Sequence, residues 1–173
     1  MQVRFGLIAG AACLVAMPAM AQNTKPNDAQ IAHIAYTAGA LDVEAGKQAL
    51  AISKNPEIRA FAEQMVKDHS AVNDQALALV KKLKVTPEDN ATSKALSAQA
   101  AAKRAELARL TGAAFDKAYV ANEIAFHKTV NGALSTTLIP SASNGELKSL
   151  LQTGLKLFEG HQLHAEHTAK AAN

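Results

Sequence analysis

Apolar side chains recur every three to four residues along four long segments of this chain. The spacing matches one face of an α-helix, so each segment is predicted to form an amphipathic helix with one buried stripe. Proline or glycine interrupts the pattern between the segments and sets where the helices end. The predicted helices cover residues 28–54, 56–84, 114–137 and 144–171.

The first two helices are separated by a very short connection. Asn55, Pro56 and Glu57 have the character of an N-cap, a proline in the first turn and an acid at the positive end of the helix dipole. Asp28 is predicted to cap the first helix in the same way. Because so few residues join these helices, they are expected to form an antiparallel hairpin.

A further helix, more polar and with a thin apolar face, is predicted over residues 93–110. At 1.5 Å per residue it would be roughly 27 Å long, about the length of the bundle. It can therefore carry the chain from one end of the bundle back to the other, so that helices 56–84 and 114–137 start at the same end. The sequence thus predicts an all-α, ferritin-like four-helix bundle with one long helical crossover.

Three histidines interrupt the apolar stripes at positions where leucine would be expected. His69, His127 and His161 lie on three different long helices. In the single-crossover topology they fall at similar levels along the bundle, within about one helical turn of each other. Glu44 on the first helix falls at the same level. These four residues are predicted to form one buried polar layer.

A layer of this composition suits a metal ion, because imidazole and carboxylate groups bind zinc, copper and iron. The predicted ligands are Glu44, His69, His127 and His161, and the predicted supporting residues are Asp68 and Glu123. The Glu-x-x-His pairs of di-iron bundles are not reproduced, since Met65 and Val66 precede His69 by one turn. The pattern therefore favours a mononuclear or an empty site over ferroxidase chemistry.

A second interpretation uses the same residues without a metal. A neutral histidine can donate from one ring nitrogen and accept at the other, so the layer can satisfy itself as a hydrogen-bond network. The chain would then be a non-catalytic envelope or stress-related protein acting by interaction. No phosphate-binding loop, nucleophile elbow or HExxH motif occurs, so no catalytic residue is assigned.

The N-terminus has the features of a secretory signal peptide. Arg4 precedes an apolar stretch over 5–17, and Ala19-Met20-Ala21 is a small-x-small cleavage motif. Residues 1–21 are therefore expected to be removed, leaving one domain over 22–173 in the periplasm or secreted. A lipoprotein leader is less favoured, because Gly10 stands where a lipobox before Cys13 wants leucine.

Composition excludes some partners and leaves others open. There are 18 basic and 15 acidic residues, spread without a basic patch, and no tryptophan, so nucleic acid is not an expected partner. No apolar run beyond the leader is long enough to cross a bilayer. The sequence names no protein partner, and association with a second copy stays open.

Two local motifs resemble a known family. Residues 61–69 have the sequence Phe-Ala-Glu-Gln-Met-Val-Lys-Asp-His, and residues 115–119 have the sequence Phe-Asp-Lys-Ala-Tyr, with His127 eight residues later. With the C-terminal helix that carries His161, they are similar to bacterial secreted proteins grouped as domain of unknown function 4142, many labelled "predicted outer membrane protein". The resemblance implies an exported ferritin-like bundle with no established activity.

Overall fold

A computed structural model describes residues 25–171, so the predicted leader, residues 1–21, lies outside the described part. Residues 25–171 contain helices and no strand, which confirms the all-α prediction. The elements are α1 Asp28–Ile52, α2 Pro56–Leu83, α3 Ala91–Leu107, α4 Gly112–Ala133, a π-helical turn Leu134–Leu138, α5 Ile139–Ser141 and α6 Gly145–Ala171. None of the described helices combines the length and the apolar character that a membrane span needs.

Side-chain caps fix the starts of α1 and α2, and the cap of α1 differs from the prediction. Asn55 caps α2 as predicted, accepting a hydrogen bond of 2.9 Å from the Glu57 amide. Asn27, not Asp28, caps α1, with its Oδ1 2.8 Å from the Gln30 amide nitrogen. The Asp28 carboxylate instead accepts from the amides of Ser143 and Asn144 at 2.8 and 2.9 Å. Asp28 therefore ties the start of α1 to the start of α6.

The direction of the helices follows from contacts at the two ends. The Ser53 hydroxyl, just after α1, donates to Asp116 Oδ1 at the start of α4 at 2.6 Å. Since α2 begins directly after this point, α2 and α4 start at the same end and run in the same direction. Helix α3 packs on α1 and α4 and returns the chain between the ends.

Two apolar clusters fill the bundle. The aromatic core lies at the end where α2 and α4 begin, and consists of Ala45, Ala49, Ile58, Phe61, Ala62, Met65, Leu107, Phe115, Tyr119, Val120 and Ala165. The aliphatic core lies at the other end, and consists of Ile31, Ile34, Leu134, Leu138, Ala142, Leu147, Leu151 and Phe158. Between the two cores, each of the four long helices carries a buried polar residue.

Helix α3 has a much smaller buried face than its neighbours. Only Ser93 and Leu107 among its residues are fully buried. Its first turn is held by the Asn90 cap, whose side chain also donates to the Gln30 carbonyl oxygen at 3.4 Å. The helix therefore rests on the outside of the bundle rather than contributing a full stripe to its core.

Two glycines give opposite predictions for replacement by alanine. At Gly46 an added Cβ would lie 2.8 Å from Val66 Cγ2 and 3.1 Å from the Ala62 carbonyl oxygen. At Gly154 it would meet only the Phe158 ring, at 3.5 Å or more. Gly46→Ala should lower the free energy of unfolding by about 1–3 kcal/mol through overpacking. Gly154→Ala should raise it by about 0.5–1 kcal/mol, because alanine is the better helix former.

Urea denaturation of the two variants beside the parent chain measures both effects. A Gly46→Ala protein at least as stable as the parent would contradict the close approach of α1 and α2.

Candidate metal centre

A layer of buried polar side chains lies between the two cores. Asp42 from α1, His69 from α2, His127 from α4 and His161 from α6 are each 1–2 % exposed. The ring centroids of the three histidines are 5.1–5.5 Å apart. One ring nitrogen from each histidine lies within 4.8 Å of the others. The three predicted histidines are therefore brought together, one from each of three helices.

The carboxylate of the layer comes from Asp42 and not from the predicted Glu44. Asp42 Oδ2 is 3.1 Å from His69 Nε2 and 3.4 Å from His127 Nε2. The Glu44 side chain is 44 % exposed and pairs with Lys47 at 3.2 Å and Arg104 at 3.5 Å. Two residues along an α-helix correspond to a rotation of about 200°, so the two side chains point in opposite directions.

The apolar periodicity of α1 indicates Asp42, rather than Glu44, as the acid on its buried face. Asp42 is four residues after Ala38 and three before Ala45, and both alanines are on the buried stripe of α1. Glu44 lies at the level of the histidines, but its side chain is not on the buried face of α1. An acidic residue on the buried stripe of α1 is thus a better candidate than one that only lies at the level of the histidines.

The protonation of His127 is set by its own helix. Its Nδ1 lies 3.0 Å from the backbone carbonyl oxygen of Glu123. A carbonyl only accepts, so Nδ1 carries the hydrogen, and in the neutral ring Nε2 carries a free lone pair. Burial lowers the pKa of His127, with Asp42 opposing and His69 reinforcing the shift. The neutral form is favoured, and its lone pair is 3.4 Å from both His69 Nε2 and Asp42 Oδ2.

His161 has a similar arrangement with an acid as its partner. Its Nε2 lies 3.0 Å from Asp68 Oδ2, and the Asp68 side chain is 23 % exposed. Burial lowers the pKa of His161 to about 4, against the opposing effect of Asp68. The neutral ring donates Nε2–H to Asp68, so Nδ1 carries a lone pair. Among residues 25–170 nothing hydrogen-bonds to this buried Nδ1.

The two acids in the layer have opposite titration behaviour. Burial alone would raise the pKa of Asp42, but the nearby histidines outweigh it and hold this pKa below its ordinary value. Burial, and then Asp42, raise the pKa of Glu123 well above 4.5. Asp42 is therefore the carboxylate and Glu123 the neutral acid. Neither Asp42 oxygen has a partner with hydrogen-bond geometry within the described residues, although histidine nitrogens lie close.

The layer is reached from one side of the bundle. A pocket of about 230 Å³ lies between α1, α3 and α4, and Asp42 and Glu123 line its inner wall. Lys103 and Arg104 of α3 line it as well. The other side of the layer is closed by Phe158, whose ring stacks on His69 with centroids 4.5 Å apart. Helix α3 therefore forms the outer wall of the pocket beside Asp42 and Glu123.

The predicted supporting residues contact different histidines. Asp68 pairs with His161, and Glu123 supplies the carbonyl oxygen for His127 while its Oε2 lies 3.8 Å from Nδ1 of that ring. His164, one turn after His161, lies outside the layer, where its Nδ1 is 3.0 Å from Gln64 Oε1 on the surface.

These features define a helical bundle in which each of four long helices contributes a polar side chain to one buried layer. The chain belongs to the family described as Domain of unknown function (DUF4142), which it matches over residues 14–168. No curated protein and no solved structure matches it.

The raised pKa of Glu123 predicts a pH-dependent gain from Glu123→Gln. A pKa above the unfolded value of 4.5 means that the folded chain holds a proton that the unfolded chain releases. The contribution of Glu123 to parent stability should then fall as pH rises above 4.5, by up to about 1.4 kcal/mol per pH unit. Glutamine mimics the protonated acid and removes this loss, so the variant should gain on the parent as pH rises.

Urea denaturation at pH 4.5 and pH 7.5, with a chelator present, measures the difference. Glu63→Gln, on the exposed face of α2, controls for the loss of one carboxylate. A variant less stable than the parent at pH 7.5 would show that Glu123 is needed as an anion.

Proposed function

We propose that the polar layer binds one transition-metal ion through Asp42, His69, His127 and His161. The observation that carries the proposal is that one ring nitrogen from each of the three buried histidines lies within 4.8 Å of the others, with Asp42 Oδ2 at 3.1 Å from His69 Nε2 and 3.4 Å from His127 Nε2. A buried carboxylate without hydrogen bonds is costly, and a cation between it and the imidazoles would offset that cost.

The orientation of the rings supports the proposal. A metal-binding histidine usually donates its second N–H to a carbonyl or a carboxylate. His127 does so to the Glu123 carbonyl oxygen and His161 to Asp68. In both rings the opposite nitrogen is thereby left as a lone-pair donor. Three imidazoles and one carboxylate suit zinc, copper or iron, and no cysteine lies in residues 25–171 to compete.

We further infer a ferritin-like relationship for the bundle, on the basis of its parallel α2 and α4 and its single crossover α3. The site differs from di-iron bundles in the residues before His69, which are Met65 and Val66 rather than a glutamate one turn away. The proposal is therefore a mononuclear site. The pocket beside Asp42 would let water or a small ligand reach the ion.

Metal analysis of untagged protein tests the proposal. The parent chain should hold about one equivalent of metal, and His127→Ala should hold almost none, because losing one ligand breaks the coordination geometry. His167→Ala, which alters an exposed histidine of the same chain, should keep the metal. Cobalt titration of the metal-free protein, followed by visible absorption, reports the coordination independently. A parent chain that binds neither native metal nor cobalt would contradict the proposal.

Asp42 and Glu44 provide a second, matched comparison on α1. Asp42→Asn removes the buried charge while keeping the shape of the side chain, and should weaken cobalt binding by at least tenfold. Glu44→Gln makes the same chemical change on the surface and should leave binding unchanged. Equal loss in the two variants would point to net charge rather than coordination by Asp42.

A second candidate is a buried network that sets the register of the helices. It is favoured by the contacts that already link the layer, with His69 Nε2 3.4 Å from His127 Nε2 and His161 paired to Asp68. In that case His69→Ala would still cost about 1–3 kcal/mol of stability through unsatisfied partners. Metal would be absent from parent and variant alike, which separates the two candidates.

We also propose that the chain is exported, on the basis of its predicted leader. Mass spectrometry of protein from its native host should find Gln22 at the N-terminus, without a lipid, and cell fractionation should find it in the periplasm or the medium. A lipid attached to Cys13 would contradict this and assign the protein to a membrane surface.

A further inference from the structure

A large cavity occupies the half of the bundle that contains the aliphatic core. Its volume is about 570 Å³, within the range of ligand pockets in proteins. Small residues on four helices leave the space, namely Ala35, Ala38, Ala76, Ala133 and Gly154. The opposite half is filled by Phe61, Phe115 and Tyr119, so the two ends of the bundle are packed differently.

The lining of the cavity indicates the chemistry of its ligand. Most of the wall is aliphatic, and no charged side chain lines it. On α6 the lining runs from Leu147 to Phe158, a length of about 16 Å at 1.5 Å per residue. It reaches the surface beside Ala91 and Thr92, which are exposed. An elongated uncharged molecule therefore fits, whereas an ionised head group placed inside the cavity would lose hydration without gaining a charged partner.

One buried polar side chain in the wall has no partner. Asn73 is 8 % exposed and lines the cavity one turn after His69. Within residues 25–170 no group hydrogen-bonds to its carboxamide. Its Oδ1 occupies the space where a Cβ on Gly39 would lie, 2.3 Å away, so the glycine makes room for it. Buried amides are normally paired, and an unpaired one at a cavity wall points to a ligand.

The π-helical turn Leu134–Leu138 is the second unusual feature at this cavity. Leu134, Thr137 and Leu138 all line the wall. Such turns are rare inside helices and often lie at functional sites. The irregular backbone and the unpaired Asn73 thus meet at the same space, although they come from different helices.

We propose that this cavity binds a neutral molecule with one aliphatic chain and one uncharged oxygen group, such as an alcohol, and that Asn73 hydrogen-bonds to the oxygen. Phe158 lies between the cavity and His69 of the polar layer, so the proposed binding does not require a metal ion in that layer.

Calorimetric titration with decanol tests the proposal, with decanoate as a charged probe of matching chain length. Decanol should bind saturably, and decanoate at least tenfold more weakly. Ala35→Leu places a larger side chain at the cavity wall and should reduce decanol binding at least tenfold. Ala51→Leu makes the same change at an exposed position of α1 and should leave it unchanged.

Asn73→Leu tests the polar contact by itself. Loss of one hydrogen bond should weaken decanol binding about fivefold. No saturable binding of decanol to the parent chain, equal binding of decanoate, or full binding by Ala35→Leu would each overturn the proposal. Analytical ultracentrifugation of the parent and Ala35→Leu proteins tests whether a second copy of the chain occupies the cavity instead. A parent dimer that Ala35→Leu converts to a monomer would assign the cavity to a second copy and overturn it as well.

Discussion

The Asp42 carboxylate lies among three imidazole rings, with almost no exposure to water and no hydrogen bond of good geometry among the described residues. A charge in this environment is costly unless its partners are held close. His69 of α2 and His127 of α4 lie closest to it, and the ring of His161 from α6 lies against both of theirs, so the arrangement forms only when all four helices are in register. The layer therefore constrains the level of every long helix, whichever cation neutralises it.

The same constraint divides the bundle into two parts with different packing. Toward the start of α2 and α4, aromatic rings fill the space around Phe61 and Tyr119. Toward the other end, small side chains leave a cavity bounded by Phe158. Phe158 stacks on His69, so one ring belongs to both the cavity wall and the boundary of the layer. A change in the cavity that moves this ring would also be felt at His69.

Much of the fold follows from sequence periodicity, because apolar stripes and caps are local features. The hairpin at Asn55 and Pro56 is one example, and the crossover length that makes α2 and α4 parallel is another. The convergence of the histidines could be predicted because each one replaces an apolar residue on its stripe. The prediction of Glu44 was wrong because this residue lies at the level of the histidines but on the outer face of α1. The cavity could not be predicted, since it depends on which alanines face each other across helices.

Helix α3 buries only Ser93 and Leu107 fully, yet it covers the pocket that leads to Asp42 and Glu123. The stability of a bundle is not uniform, and elements with few buried contacts open more readily than the core. Detachment of α3 would leave the two cores intact, because α1, α2, α4 and α6 supply nearly all of their residues. Exchange of an ion or a proton with the layer can then proceed at the rate of a local opening. Under the proposed metal binding, the lifetime of the bound ion would thereby be uncoupled from the lifetime of the fold.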